Sequence, residues 1–297
     1  MTTFTTSDSQ PLVLERRGRF ATMYVLSPFV WRAGGRWHLM VRAVPRRDDE
    51  PRLKIAEAYY GVGDDGVRFV MDEAPALWPG PGEADLDGCE DPTVVLHEGE
   101  TQVWYTGWNQ AQETGRLLHA SGPDARRLTT RGVALDSTDD FANPKEATVA
   151  QGADGRWALF FEFARHEASV IGLARSEGLA GPWTGSTALM DARPDRFDSW
   201  HLSTGPIVGA GTDRPVMFYN GANRDAKWRI GWVALDPDLT RVVDRCAEPL
   251  VTPPDDLDDD WTDIAFAASA VEEGDDIWLY HSIADRALMR VRVRREG

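Results

Sequence analysis

Short apolar runs separated by Gly/Asp turns recur along the whole chain, and none carries a 3.6-residue apolar stripe of helical length. The pattern therefore predicts strands throughout. One unit repeats. A small residue or proline opens a β-run, a turn follows, and a second run rich in aromatics returns. The first copy is Ser27–Trp31, a turn at Ala33–Gly35, then Trp37–Arg42. The second is Asp91–Leu96 with Gln102–Thr106, and the third Lys145–Val149 with Trp157–Glu162. The fourth is Thr204–Val208 with Pro215–Asn220, and the fifth Ala268–Val271 with Ile277–His281. With Pro28, Pro92, Ala147, Pro206 and Ser269 as equivalent positions, the repeat length is 55 to 64 residues.

Each copy continues into a third run: Leu53–Tyr59, Arg116–Ser121, Val170–Ser176, Arg229–Ala234 and Leu288–Val293. Shorter fourth runs follow at Val67–Met71, Gly132–Leu135 and Arg241–Asp244. Five units of about four antiparallel strands each predict an all-β fold, a five-bladed β-propeller. The units are roughly 20–75, 88–136, 143–187, 200–246 and 262–297. The last has only three runs, so an N-terminal strand at 11–15, centred on Pro11-Leu12-Val13-Leu14, is expected to close the ring and protect its edges. A two-sheet sandwich would not explain five similar units. Nothing resembles a linker, so 1–297 reads as a single domain.

In a propeller blade, the start of the first strand and the end of the second meet at one face. Those positions are mostly polar here, while the strand interiors are apolar. They are Ser27 and Arg42; Glu90, Asp91, Trp108 and Asn109; Lys145, Glu146 and Glu162; Ser203, Thr204 and Asn220; Asp263, His281 and Asp285. Within this set the Glu90-Asp91-Pro92 step stands out. Proline biases its predecessor toward extended geometry, which puts Asp91 at a strand entrance. Several carboxylates directed at one mouth point to glycoside chemistry, which needs one group to protonate the leaving oxygen and another to assist the nucleophile.

Composition narrows the classes. With 48 acidic against 32 basic residues, the formal net charge is −16. That balance opposes nucleic acid and anionic membrane surfaces as partners. The two cysteines make neither a disulfide framework nor a CxxC knuckle, and the six histidines lack HxH or HxxxH spacing, so no metal or other cofactor is expected. There is no P-loop and no GxSxG elbow. Met1 to Gln10 lacks the pattern of a signal peptide, and no run is long enough for a membrane span, so a cytoplasmic location is expected. Twelve tryptophans suit both core packing and stacking on sugar faces. The acidic cluster Asp255–Asp260 lacks the alternation of a calcium loop and reads as a solvated loop. The partner expected is an oligosaccharide substrate, and the sequence leaves homo-oligomer formation open.

The stretch Gly88-Cys89-Glu90-Asp91-Pro92 resembles the Gly-x-Glu-Asp-Pro-Arg motif of glycoside hydrolase family 130, the β-mannoside phosphorylases and related β-mannosidases. Gly205-Pro206-Ile207, Phe218-Tyr219-Asn220-Gly221, Ile230–Asp236, Glu248–Pro253 and Ala284-Asp285 are also similar to that family. The resemblance spans about residues 20 to 295 and implies a five-bladed propeller. It further implies that Asp91 is the general acid, acting through a hydroxyl of the bound sugar, that Arg42 is the arginine closing the first unit's second strand, and that Asp285 grips the non-reducing sugar. The chain departs from the phosphorylase pattern in its positive charges. Thr93 stands where the motif has Arg, Glu162 at a basic position, and Asn220 for His; Lys145 and Arg42 remain, and His201 is read as replacing a lysine. A carboxylate in that place repels phosphate and can activate water. The resemblance thus implies inverting hydrolysis of β-mannosides or similar short oligosaccharides, with Glu162 the first candidate for the base and Glu146 the second. The alternatives are phosphorolysis on the same scaffold and sugar binding without turnover.

Overall fold

The computed structural model describes residues 3–46, 55–254 and 262–296, the side chains of 186 and 187 excepted. The Asp255–Asp260 cluster and the start of the run at Leu53 lie outside the described residues. Among the described residues, apart from two 3-10 turns, Gly18–Thr22 and Glu83–Asp85, the regular elements are all strands. No described helix is long and apolar enough to cross a membrane.

Four sheets follow the predicted units closely. The first runs Val13–Glu15, Arg68–Met71, Glu57–Gly63, Arg36–Val44, Tyr24–Ala33 across its width. The second is Thr129–Leu135, Thr114–Gly122, Glu100–Asn109, Gly88–His97. The third is Ala142–Gln151, Trp157–Arg165, Ala168–Ser176, with Thr184–Met190 as a fourth strand that the apolar pattern did not announce. The last comprises Ala265–Glu273, Asp276–Ile283, Ala287–Glu296 and, from the other end of the chain, Thr3–Pro11.

The fourth unit departs from expectation. Its ribbons are interrupted and divide between two small sheets. Ser203 and Ile207 end and begin successive segments of the first ribbon, and Met217 and Asn220 do so in the second. The break has a local cause. Gly205 lies so near the Phe218 carbonyl that a Cβ would sit 1.8 Å from its oxygen. Only glycine lets the backbones approach so closely.

The N-terminal segment is a second correction. The strand joined to the last unit is Thr3–Pro11, antiparallel to Ala287–Glu296, whereas Val13–Glu15 pairs in parallel with Arg68–Met71 in the first sheet. Thr3–Pro11 is polar because it is an outer strand, exposed along most of its length. It needs no apolar alternation, and period-2 reading passes over it. Its one apolar anchor, Phe4, meets Phe218 and Trp232 edge-on at 5.5 and 5.4 Å.

Neighbouring sheets pack through apolar clusters. Met40 and Tyr60 of the first join Val94 and Tyr105 of the second. Trp104 and Leu117 of the second join Leu159 and Phe161 of the third. Phe160 and Leu173 join Leu202 and Met217 of the fourth unit and Ile277 and Leu279 of the last. Tyr280 and Leu288 of the last join Val30, Trp37 and Tyr59 of the first. Side chain to backbone bonds follow the same order. Thr93 Oγ1 donates to Ala147 O at 2.5 Å, and Thr148 Oγ1 to Gly205 O at 3.0 Å. Asn220 accepts from Ala267 N and donates to Ala267 O, and Ser269 Oγ accepts from Val30 N and donates to Pro28 O. A half-buried aromatic joining the N-terminal strand to the fourth unit should matter for stability. Phe4→Ala is expected to cost about 2 kcal/mol, below the usual toll of a fully buried Phe because Phe4 is partly exposed. Urea unfolding of the two proteins measures it, and an unchanged midpoint would contradict the anchor role.

Candidate active site

The site begins with a backbone irregularity repeated in three units. The pairing of first and second strands slips between Leu26 and Phe29, between Glu90 and Thr93, and between Lys145 and Thr148. Within each slip one residue takes a left-handed conformation: Ser27 at φ 50°, Asp91 at 49° and Glu146 at 53°. Asp285, in the hairpin after Ile283, does the same at 53°. For a residue with a Cβ this costs roughly 1–2 kcal/mol. A bulge re-aims a side chain and is favoured beside functional sites. Asp91 is therefore not at an extended strand entrance. It sits inside Gly88–His97 at a bulge, because surrounding contacts override the bias imposed by Pro92.

These four side chains line one cavity of about 180 Å³ with Arg42, Lys145, Glu162, Trp228 and Phe266. A neighbouring cavity of about 400 Å³ shares Lys145, Glu162 and Trp228 and adds Glu90, Trp108, Ser169 and His201. Arg42 bridges two carboxylates: Nη2 donates to Glu90 Oε1 at 2.7 Å, and Nη1 reaches Asp91 Oδ2 at 3.2 Å. The Ser27 hydroxyl also donates to Asp91. Across the strand pair, Lys145 Nζ lies 3.0 Å from Glu162 Oε1.

The carboxyls are driven apart in acidity. Burial raises Asp91, but Arg42, the Ser27 hydroxyl, Glu146 and Lys145 outweigh it and hold Asp91 below its ordinary value. Glu146 is pushed well above its ordinary value by burial and by the charges of Asp91 and Glu162, with Lys145 opposing. Burial also raises Asp285, against the pull of Arg42. The Lys145 ammonium is raised, chiefly by Glu162. Separated acidities of this kind mark sites of proton transfer.

Aromatic rings form one wall. The His201 and Trp228 rings stack at 5.8 Å with planes 5° apart, and Trp228 meets Phe266 at 5.3 Å. His201 Nδ1 accepts from Ser169 N at 2.9 Å, which leaves Nε2 to carry the proton of a neutral ring, and burial lowers the His201 pKa.

Of the residues expected from sequence, Ser27, Arg42, Glu90, Asp91, Trp108, Lys145, Glu146, Glu162, His201 and Asp285 come together on these two cavities. Six stand apart from the lining, and of these Ser203, Thr204 and His281 are buried. Asn109 bonds to Glu83 O and Gln112 N and so holds the Glu83–Asp85 turn. Asn220 is fully buried and ties the fourth unit to the fifth. Asp263 is engaged by Arg229 at 2.7 Å and Lys227 at 3.6 Å. Sequence reasoning missed Trp228, Phe266 and Ser169, which lie outside the strand-end positions examined. The abundance of tryptophan was the one signal that pointed toward such a wall.

No family model matches the chain. It is 24% identical over 262 residues to the 1,2-β-oligomannan phosphorylase of Thermoanaerobacter sp. (strain X514), covering 86% of this chain and 84% of that one. It is 25% identical over 244 residues to the β-1,2-mannobiose phosphorylase of Listeria innocua, covering 75% of this chain and 62% of the relative. In structure it matches the Listeria innocua β-1,2-mannobiose phosphorylase bound to β-1,2-mannobiose with a TM-score of 0.80 at 18% identity, over 98% of this chain and 96% of that one. A structure described as belonging to a GH130 family of mannoside phosphorylases that contains glycoside hydrolases matches at 0.76 and 22% identity, over 91% and 84%. Fold and carboxyl-lined cleft define a glycoside-active enzyme. By these likenesses the chain is similar to members of glycoside hydrolase family 130.

The Arg42 bridge should be visible in stability. Arg42→Ala leaves Asp91 and Glu90 buried without their cation and is expected to cost about 3 kcal/mol near neutral pH. Because Arg42 lowers the Asp91 pKa, its contribution is present above the ordinary carboxylate range and is lost as pH falls through it. The deficit should therefore shrink below about pH 4. Urea titrations of both proteins at two pH values test this, and a pH-independent deficit would contradict it.

Proposed function

We propose that the chain is a single-domain five-bladed β-propeller that hydrolyses β-mannosides or similar short oligosaccharides with inversion. The propeller reading is supported by the order of the contacts between sheets, which pass from the first to the fifth and from the fifth to the first. The names of the relatives support mannosides as the substrate class. Asp91 is the general acid and Glu162 the base. Asp285 accepts hydroxyls of the sugar, and Trp228 and Phe266 offer apolar faces to its ring.

The observation that carries hydrolysis over phosphorolysis is the Lys145–Glu162 pair. Glu162 is 3% exposed and lines both cavities. It neutralises Lys145, while Asp91 and Glu90 neutralise Arg42. Thr93, at the motif's arginine position, is spent on the Ala147 carbonyl, and His201 is held neutral. A phosphate dianion would meet two cations already balanced by carboxylates, and desolvating it there is costly. Water meets no such barrier. Glu162 takes its proton as its oxygen attacks the anomeric carbon, and Asp91 protonates the departing oxygen. Glu146, the second candidate for the base, is pushed well above its ordinary pKa by burial and by the charges of Asp91 and Glu162, which suits it less to that role.

Phosphorolysis remains the rival, because the curated relatives are phosphorylases and Arg42 and Lys145 are retained. Incubating the protein with β-1,2-mannobiose and with other β-mannobioses, with and without phosphate, separates the two. Release of α-mannose without phosphate is the expected result. Mannose 1-phosphate formed only with phosphate would overturn hydrolysis, and no product on any β-mannoside would leave a sugar-binding propeller. Asp91→Asn and Glu162→Gln should each lower hydrolysis by about 100-fold or more with the fold intact. A near-normal rate in either removes that role.

A further inference from the structure

We infer that Glu146 is the proton store for the acid: the Asp91–Glu146 carboxyl pair holds a single proton, kept on Glu146 until Asp91 passes it to the leaving oxygen. This rests on the assignment of Asp91 as the acid in the preceding reading. It starts from an inconsistency in the site. Asp91 accepts from Ser27 and Arg42, which favours its ionised form, whereas burial and the charges of Asp91 and Glu162 favour the protonated form of its neighbour Glu146. The two carboxyls line the same small cavity and each acts on the other's acidity as a side-chain hydrogen-bond neighbour, an arrangement that requires a proton between them.

The backbone of Glu146 is built for this position. Its N–H donates to Thr106 Oγ1 of the second unit at 3.2 Å, and its carbonyl accepts from Thr204 Oγ1 of the fourth. The carbonyl of the next residue, Ala147, accepts from Thr93 Oγ1. A left-handed residue held from both neighbouring units is over-determined, and strain of this kind persists where geometry is enforced. Glu90 and Arg42 face the pair from two strands, Glu162 and Lys145 from a third direction, and Asp285 from the hairpin. Arg42 stabilises charge on Asp91, while Glu162 repels charge on Glu146. The proton is thus directed to Glu146.

The step balances. The Glu146 O–H bond breaks as the Asp91 O–H forms. Asp91 then gives that proton to the glycosidic oxygen, directly or through a sugar hydroxyl, as the glycosidic C–O bond breaks. Water supplies the new bond to the anomeric carbon and its proton goes to Glu162. Solvent afterwards removes the proton from Glu162 and restores one to the pair. Glu146 acts through Asp91 and is a positioning residue.

The test has two arms. Infrared difference spectra of the free protein are expected to show a protonated-carboxyl stretch near neutral pH that disappears in Glu146→Gln, and also in Asp91→Asn, which removes the acceptor's charge. Absence of the band in the wild type, or its survival in Glu146→Gln, overturns the proposal whatever the protein does to sugars. The second arm compares leaving groups. A dinitrophenyl β-mannoside needs no protonation to depart, whereas mannobiose does. Glu146→Gln should lose about 100-fold on mannobiose and less than about 10-fold on the aryl glycoside. Equal losses on both would make Glu146 a base or a structural residue. If the wild type hydrolyses neither substrate, the hydrolytic reading falls and the infrared arm alone decides the pair.

Discussion

Too many carboxyl groups share too few cations in this site. Four acids and two cations line a cavity of about 180 Å³, and Glu90 adds a further acid beside Arg42. At short range in a partly dry space, like charges cannot all persist. The chain meets that constraint by dividing the acids into classes. Asp91 and Glu90 are balanced by Arg42, and Glu162 by Lys145. Glu146 and Asp285 are raised toward neutrality. Burial and unequal access to the cations therefore give Asp91, Glu146 and Asp285 different acidities.

The same contacts also hold the sheets together. Ser27 links the first unit to Asp91 of the second, Thr106 and Thr93 link the second to the third, and Thr204 links the third to the fourth. Each is a hydroxyl reaching a neighbouring unit at or beside a left-handed residue. Strain at Ser27, Asp91 and Glu146 is offset by bonds that double as seams between sheets. A loosened seam would therefore move a carboxyl, so stability and site geometry are coupled in this protein.

The recurrence of Pro28, Pro92 and Ala147 was legible in the sequence because it marks the same structural event, the residue just after each bulge. The apolar runs gave the sheets because strands packed on both faces read as short continuous apolar segments. What escaped was what such runs do not encode. Thr3–Pro11 is an outer strand without an apolar face. The break in the fourth unit depends on the approach of Gly205 to Phe218, a backbone contact between paired ribbons. The left-handed turn at Asp91 runs against the local signal from Pro92, so only its tertiary partners explain it. Asn109, Asn220 and Asp263 have the residue types of a site but are consumed by turn, seam and ion pair. Sequence names polar residues at strand ends without saying which of them are already satisfied.

The argument between water and phosphate as the attacking group turns on that same question. The chain has lost several of the positive residues that would hold phosphate, and the two it keeps, Arg42 and Lys145, are already paired with carboxylates. A dianion entering here would have to displace Glu162 from Lys145 or Asp91 from Arg42, each displacement leaving a buried carboxylate uncompensated. Proton demand adds a second constraint. Phosphate arrives as a competent nucleophile, whereas water needs a base, and Glu162, 3.0 Å from the Lys145 ammonium, is placed for that task in the proposed hydrolysis. In the proposed hydrolysis the Lys145–Glu162 pair would oppose one nucleophile and activate the other, which is why that chemistry rests on it more than on the acid that both reactions would share.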